Sequence, residues 1–166
     1  GENGKTIQLP GEFTAVCESG DIVLRKNVYS SSESEHIRKE IKIGMTVEFE
    51  GFKITADCFE AKNCDLNKFV AEKTSNVEWF DLDKINGAVF VRKRQKGDVF
   101  VPIKRKTEQK VGKYLSKNQI DFKIRKKIPV FEDNQKIIWV GKVRASEETK
   151  VDAKTRRILQ IAVFGL

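Results

Sequence analysis

Few residues of the types that catalysis or metal binding requires occur in this sequence, and their spacing suits neither purpose. There are three cysteines, Cys17, Cys58 and Cys64, and none forms a C-x-x-C pair, so neither a zinc site nor a disulfide framework is indicated. We interpret them as reduced, incidental thiols. The single histidine, His36, lies in a polar stretch rich in serine and glutamate, without an evident partner that would make it a general base.

Two further patterns have residue types that could do chemistry. Asp81 and Asp83 would point to the same face of a strand, where paired carboxylates can hold a metal ion or act as an acid and a base. Such aspartates more often cap a turn, here residues 84–87, and we favour that interpretation. Residues 1–5 contain Gly-Lys without the spacing of a phosphate-binding P-loop. We therefore predict no catalytic residue, no metal site and no cofactor site in this chain.

The basic residues form a more informative pattern. Residues 1–90 contain 11 Lys+Arg and 16 Asp+Glu, whereas residues 91–166 contain 21 and 8, which gives net charges of −5 and +13. The cations of the second half occur in four groups: Arg92, Lys93, Arg94 and Lys96; Lys104, Arg105 and Lys106; Lys110, Lys113 and Lys117; Lys123, Arg125, Lys126 and Lys127. A basic half beside an acidic half favours a polyanion partner, above all nucleic acid. The charges alone leave open a solvated lysine-rich face without any partner.

Short strands must position most of these residues. Residues 13–17 and 22–25 are predicted to form a hairpin, and residues 46–49 and 53–56 a second one. Further strands are predicted from apolar runs at residues 88–91, 99–101, 137–140 and 158–164, and an exposed loop is predicted at residues 28–38. The expected fold class is therefore α+β, with strands dominating.

Helices are expected to be few and short. Val111 and Leu115 have the spacing of one helical face, and a loop with a short helix is expected in residues 60–76. Another short helix is indicated by Ile120, Phe122, Ile124 and Ile128, and Pro129 ends it because proline lacks the backbone N–H. Trp139 lies inside an apolar strand and is interpreted as a core residue, not as a platform for base stacking.

The 166 residues, 39% of them hydrophobic, suit one domain or two small ones. No apolar run approaches the roughly 20 residues of a transmembrane helix. The N-terminus lacks the basic segment and apolar core of a secretory signal. We expect a cytoplasmic protein with no membrane partner.

Five blocks within residues 80–166 resemble, in order, those of one enzyme family, the tRNA(Ile)-lysidine synthetases. Residues 80–85 and 91–102 resemble its D-x-D-K-L and V-R-x-R-x-x-G-D-R-F-x-P signature. The other blocks are residues 110–115, similar to a K-K-L-K-x-F-F helix; 120–131, similar to x-I-P-x-x-x-R-x-x-I-P-L; 138–141, similar to I-W-V-x-G; and 150–159, similar to a closing K-V-T-x-x-T-x-x-V-L strand. The chain departs from the family at Val99, Lys104 and Asp121, where arginine, glycine and proline stand in the family pattern.

The resemblance implies a role in tRNA modification. Enzymes of this family use ATP and lysine to convert the wobble cytidine of tRNA(Ile) to lysidine, and their C-terminal domains bind tRNA, including its acceptor stem. The family's S-G-G-x-D-S nucleotide loop does not occur here. The resemblance therefore implies a C-terminal, tRNA-binding fragment that is inactive as a ligase alone, with ATP and Mg²⁺ held by an N-terminal domain outside this chain.

From the residues and the resemblance together we predict two parts: a β-rich middle domain over residues 1–85 and a basic α+β domain over residues 86–166. The predicted tRNA-binding residues are Arg92, Arg94, Lys110, Lys113 and Arg125. A homodimer is compatible with the sequence. The alternative from another functional class is a protein-interaction module that binds no nucleic acid. An independent hydrolase is less favoured, because no nucleophile and base are paired by motif.

Overall fold

The computed structural model of this chain describes the backbone of strands β1 (Thr6–Leu9), β2 (Phe13–Glu18) and β3 (Asp21–Lys26) and all of residues 37–165. The chain divides into two compact units, Gly1–Glu35 and His36–Leu166. In the smaller unit, β1, β2 and β3 form an antiparallel sheet in that order. The hairpin predicted from residues 13–17 and 22–25 is thereby confirmed. His36 and most of the predicted loop 28–38 lie outside the described residues.

Two antiparallel sheets make up most of the larger unit. The first has the order β13-β12-β11-β8-β4 and the second has the order β5-β6-β14-β7. The strands of the first sheet are β4 (Lys39–Ile41), β8 (Val89–Lys93), β11 (Pro129–Glu132), β12 (Ile137–Val140) and β13 (Arg144–Ala145). Those of the second are β5 (Thr46–Phe49), β6 (Phe52–Glu60), β7 (Val77–Asp81) and β14 (Arg157–Phe164). The second predicted hairpin is confirmed as β5 and β6.

The remaining elements are short. They are the ribbon β9 (Val99–Phe100) with β10 (Gln109–Lys110), the helices α1 (Leu66–Glu72), α2 (Val111–Lys117) and α3 (Phe122–Arg125), and the 3-10 turns Ala61–Asn63, Leu82–Lys84 and Glu147–Thr149. Sheets with a few short helices fit the predicted α+β class loosely. Among the described residues, no helix has the length and apolar character needed to cross a membrane.

The main core lies between the two sheets. Alternate residues of the strands point into it, among them Ile54, Phe80 and Ile161, all completely buried. Trp139 is 2% exposed and its ring lies 4.8 Å from that of Phe131, which confirms its interpretation as a core residue. Apolar burial of this kind contributes about 1.5–3 kcal/mol for each large side chain.

A second, smaller core lies on the other face of the five-stranded sheet. Val111 and Leu115 of α2, both fully buried, pack there against Val130 and Val140. These two residues are four apart, so one face of the helix covers the sheet and the other meets solvent. The larger unit therefore has three layers: the four-stranded sheet, the five-stranded sheet, and a thin cover that contains α2.

The predicted boundary at residues 85/86 falls inside this larger unit, whereas the division between compact units lies between Glu35 and His36. Strand β14, at the end of the chain, is hydrogen-bonded to β6 over its full length and to β7 on its other side. The main core likewise contains residues from both sides of position 85. The change in net charge near residue 90 therefore coincides with no break in the packing.

Candidate nucleic-acid interface

Residues 93–127, which we call the basic segment, lead from the end of β8 to the approach to β11. This segment contains 13 Lys+Arg and three Asp+Glu, a net charge of +10. It includes α2, α3 and the ribbon β9–β10, so it forms the cover over the second core. The Val111 N–H donates to the Asp98 carbonyl at 2.8 Å and joins the start of α2 to the turn before β9. The cations are thus mounted on packed elements and not on a free tail.

The ion pairs of the larger unit are distributed unevenly. Of the 16 Lys+Arg in residues 37–92 and 128–165, nine lie within 4.0 Å of a carboxylate oxygen: Arg38, Lys42, Lys62, Lys73, Lys84, Arg92, Lys136, Lys150 and Arg157. Of the 13 in the basic segment, Lys93 alone does so among the described residues, with Glu50 at 3.1 Å. Just over half of the cations elsewhere in the unit are therefore paired with a carboxylate, whereas nearly all of those on this cover are not.

Arg92, the first of the predicted binding residues, is an internal ion-pair partner. It is 8% exposed, and its guanidinium donates to both Asp98 oxygens, at 2.9 and 3.0 Å, and to Glu132 at 2.8 Å. Burial opposes the charge of Arg92, but the hydrogen bonds to Asp98 and Glu132 outweigh it and raise the pKa of the guanidinium. A guanidinium held in this way has little capacity left for phosphate, so we omit Arg92 from the interface proposed below.

The partners of Arg92 join three parts of the chain. Asp98 also accepts from the Gln95 N–H at 2.7 Å, which folds the turn between β8 and β9 around its carboxylate. Glu132 also forms an ion pair with Arg38, at 2.9 Å. The Arg38 guanidinium lies over the Phe90 ring, 3.6 Å from its centroid. No local pattern in the sequence marks Arg38, because its partners Phe90 and Glu132 are more than 50 residues away along the chain.

Arg94 and Arg125 are both partly buried and contact other parts of the protein. Arg94 is partly buried beside the start of α2, where its Nη1 lies 3.2 Å from the position that a Cβ on Gly112 would occupy. Its Nε is buried without a hydrogen-bond partner in the described part of the chain. Arg125 donates to the Ile120 carbonyl and, at 2.7 Å, to the Ser116 hydroxyl, which ties α3 to α2.

Lys110 and Lys113 are exposed and form no ion pair among the described residues. Of the predicted binding residues, these two are the most accessible to a phosphate. Lys110 precedes the first residue of α2, and Lys113 lies in its first turn on the side opposite the buried face. Lys117, one turn further on, is also exposed. Three ammonium groups thus follow the solvent face of one helix.

Comparison with known proteins identifies the family to which this chain belongs. Residues 66–165 match the family model described as the B3/4 domain, which is more than half of the chain. The chain belongs to the B3/4 domain family. The tRNA(Ile)-lysidine synthase of Clostridium tetani is 32% identical over 171 residues, covering 99% of this chain and 35% of that protein. That of Caldanaerobacter subterraneus is 30% identical over 156 residues, covering 93% and 32%.

A solved structure shows the same fold. The crystal structure of a TilS C-terminal domain aligns with a TM-score of 0.65 and 17% identity, over 78% of this chain and 97% of that one. The chain spans about a third of the length of the two curated relatives. The predicted resemblance to the C-terminal region of tRNA(Ile)-lysidine synthetases is confirmed.

Within this B3/4 domain the interpretation of the two aspartates as turn caps holds for Asp81 alone, which caps the 3-10 turn Leu82–Lys84 and not residues 84–87. The Asp81 carboxylate accepts from the Asp83 N–H at 3.1 Å and from the Thr155 hydroxyl at 2.7 Å, while Asp83 pairs with Arg157. Lys84 lies 3.4 Å from Asp81. Both carboxylates are thus occupied by protein donors. In the described residues no three His, Cys, Asp or Glu side chains are grouped as metal ligands would be.

Proposed function

We propose that this chain is the tRNA-binding part of a tRNA(Ile)-lysidine synthase and that the basic segment contacts the tRNA backbone. The observation that carries the proposal is the set of 12 cations in the basic segment that form no ion pair among the described residues. Backbone phosphates supply the counter-charge that the protein itself does not provide there. The names of the relatives support tRNA as the polyanion.

The proposed contacts follow from the structure of double-stranded RNA. Its deep, narrow major groove hides the base edges, so a protein reads phosphates, 2′-hydroxyls and overall shape. Lysines mounted on a packed helix and on neighbouring loops suit such a regular array of phosphates. The proposed contact residues are Arg94, Lys110, Lys113, Lys117 and Arg125, together with the loop cations Lys104, Arg105 and Lys106. In this scheme the acceptor stem lies on the basic segment, the parent enzyme acts in the cytoplasm, and another domain binds ATP and Mg²⁺.

Reversing two charges at the start of α2 is the sharpest test of this proposal. The double variant Lys110→Glu with Lys113→Glu is expected to bind tRNA at least about tenfold more weakly near physiological salt. Losing two phosphate contacts should also reduce the steepness of log K against log salt by roughly 1.4–1.8. Acidic side chains are tolerated in the first turn of a helix, so the fold is expected to survive. Fluorescence anisotropy of labelled tRNA over a range of salt concentrations measures both quantities.

The matched control is Lys53→Glu with Lys68→Glu. Both lysines are exposed and without an ion pair among the described residues, and both lie outside the basic segment. This control is expected to retain near-wild-type affinity and salt dependence. Equal losses in the two double variants would contradict the basic segment as the interface. Absence of any salt-sensitive tRNA binding by the wild-type chain would favour a protein-interaction module.

A further inference from the structure

An exposed apolar pair stands in the middle of the basic segment. Phe122 is 63% exposed and Ile124 is 57% exposed, and both belong to α3. Four cations occupy the neighbouring positions: Lys123, Arg125, Lys126 and Lys127. Exposed apolar side chains grouped within a charged surface can mark a binding site.

The pair is held outward by specific contacts. The Asp121 side chain accepts from the Lys123 N–H at 2.7 Å and caps α3. Within the same helix, Arg125 donates to the Ile120 carbonyl and the Ser116 hydroxyl and so fastens α3 to the end of α2. Fastened in this way, α3 presents Phe122 to solvent in a defined place.

A cationic groove adjoins the ring. The Lys126 ammonium lies 4.6 Å from the centroid of Phe122 and also lines a groove of about 220 Å³ together with Lys93 and Lys127. Glu50, in the turn between β5 and β6, also lines the groove and pairs with Lys93 at 3.1 Å, so Lys126 and Lys127 are the lysines of the groove that form no ion pair among the described residues. The Phe122 ring therefore adjoins the cationic groove, and Lys126 contributes to both.

We propose that this site binds one unpaired nucleotide, with its base stacked on Phe122 and its phosphate in the groove beside Lys126 and Lys127. The proposal rests on the proposed tRNA binding and extends it from duplex backbone to single-stranded RNA. A base inside a duplex has neighbours on both faces and cannot stack on a side chain, whereas an unpaired base can. The surrounding positive charge favours an RNA strand over an apolar segment of another protein, because each nucleotide brings an anionic phosphate within reach of the ring.

Two RNA hairpins with the same stem test the site, one blunt and one with a 3′ tail of four unpaired nucleotides that carries 2-aminopurine. The wild-type chain is expected to bind the tailed RNA at least about fivefold more tightly and to quench the 2-aminopurine fluorescence by stacking. Phe122→Ala should lower affinity for the tailed RNA to that for the blunt RNA and abolish the quenching. Phe122→Trp should retain both effects.

Phe164→Ala is the matched control, because Phe164 is also an exposed phenylalanine, 49% accessible, and lies on β14 outside the basic segment. It is expected to behave as wild type with both RNAs. Equal wild-type affinity for the two hairpins, or quenching that persists in Phe122→Ala, would overturn the nucleotide site and leave Phe122 and Ile124 to a protein contact, while the proposed backbone binding would stand. If the wild-type chain bound neither hairpin nor tRNA, the proposed function itself would fail.

Discussion

Replacing Arg92 with methionine is expected to lower the free energy of unfolding by about 3–5 kcal/mol, because removal of one member of a buried ion pair leaves its partners uncompensated. The Arg92 side chain is 10% exposed, and the carboxylates of Asp98 and Glu132 are 8% and 17% exposed. Methionine fills most of the volume but offers those carboxylates no donor. Urea denaturation followed by tryptophan fluorescence measures the loss, since Trp139 lies in the main core.

Two companion variants define what the Arg92 result means. Arg92→Lys keeps the charge but cannot reach both carboxylates with a planar fork, so an intermediate loss is expected. Arg105→Met removes an exposed cation that has no ion pair among the described residues and should change stability by no more than about 0.5 kcal/mol. A loss below about 1 kcal/mol in Arg92→Met would contradict the structural role assigned to this arginine. A large loss would also mean that any weakening of tRNA binding in Arg92→Met reports on unfolding.

Asp133→Ala is expected to cost about 3 kcal/mol, because four donors lose their buried acceptor at once. The Asp133 side chain is completely buried. It accepts from the backbone N–H groups of Asn86, Gln135 and Lys136 at 2.8–2.9 Å and from the Lys136 ammonium at 3.0 Å. The carboxylate thereby joins the turn between β11 and β12 to the segment that leads into β8.

The same denaturation experiment tests this second substitution. The control is Asp121→Ala, which removes an exposed cap from the four-residue helix α3 and should cost about 1 kcal/mol or less. If Asp133→Ala were no more destabilising than Asp121→Ala, the turn would not depend on the buried carboxylate.

Low pH is expected to lower the free energy of unfolding through protonation of Asp133. Burial alone would raise the pKa of Asp133, but hydrogen bonds from the N–H groups of Asn86, Gln135 and Lys136 and from the Lys136 ammonium lower it below its ordinary value. A carboxylate with a lowered pKa stabilises the folded state above its unfolded pKa, about 3.9, and this contribution is lost as the pH falls towards the folded-state pKa. The free energy of unfolding should therefore fall below about pH 4, and less steeply in Asp133→Ala. Parallel pH profiles for the two proteins would contradict this assignment.

The sequence by itself determined the features that depend on local order. Alternating apolar residues specified the strands, and the spacing of Val111 and Leu115 specified α2, because the periods of strand and helix are properties of consecutive residues. The accumulation of positive charge after residue 90 and the ordered family blocks were equally visible. These features sufficed to indicate the family and a polyanion partner.

Only the tertiary structure decided which cations are free and which apolar residues are buried. Arg92 is paired with Glu132, which is 40 residues away in the chain, whereas Lys110 and Lys113 are exposed and form no ion pair among the described residues. Phe122 shares an apolar pattern with Ile120 and Ile128, yet α3 ends after four residues and never completes the face that would bury it. The pairing of β14 with β6 likewise encloses the predicted boundary at 85/86 in one packed unit. Each outcome depends on contacts between residues far apart in the chain, which a reading of local pattern does not contain.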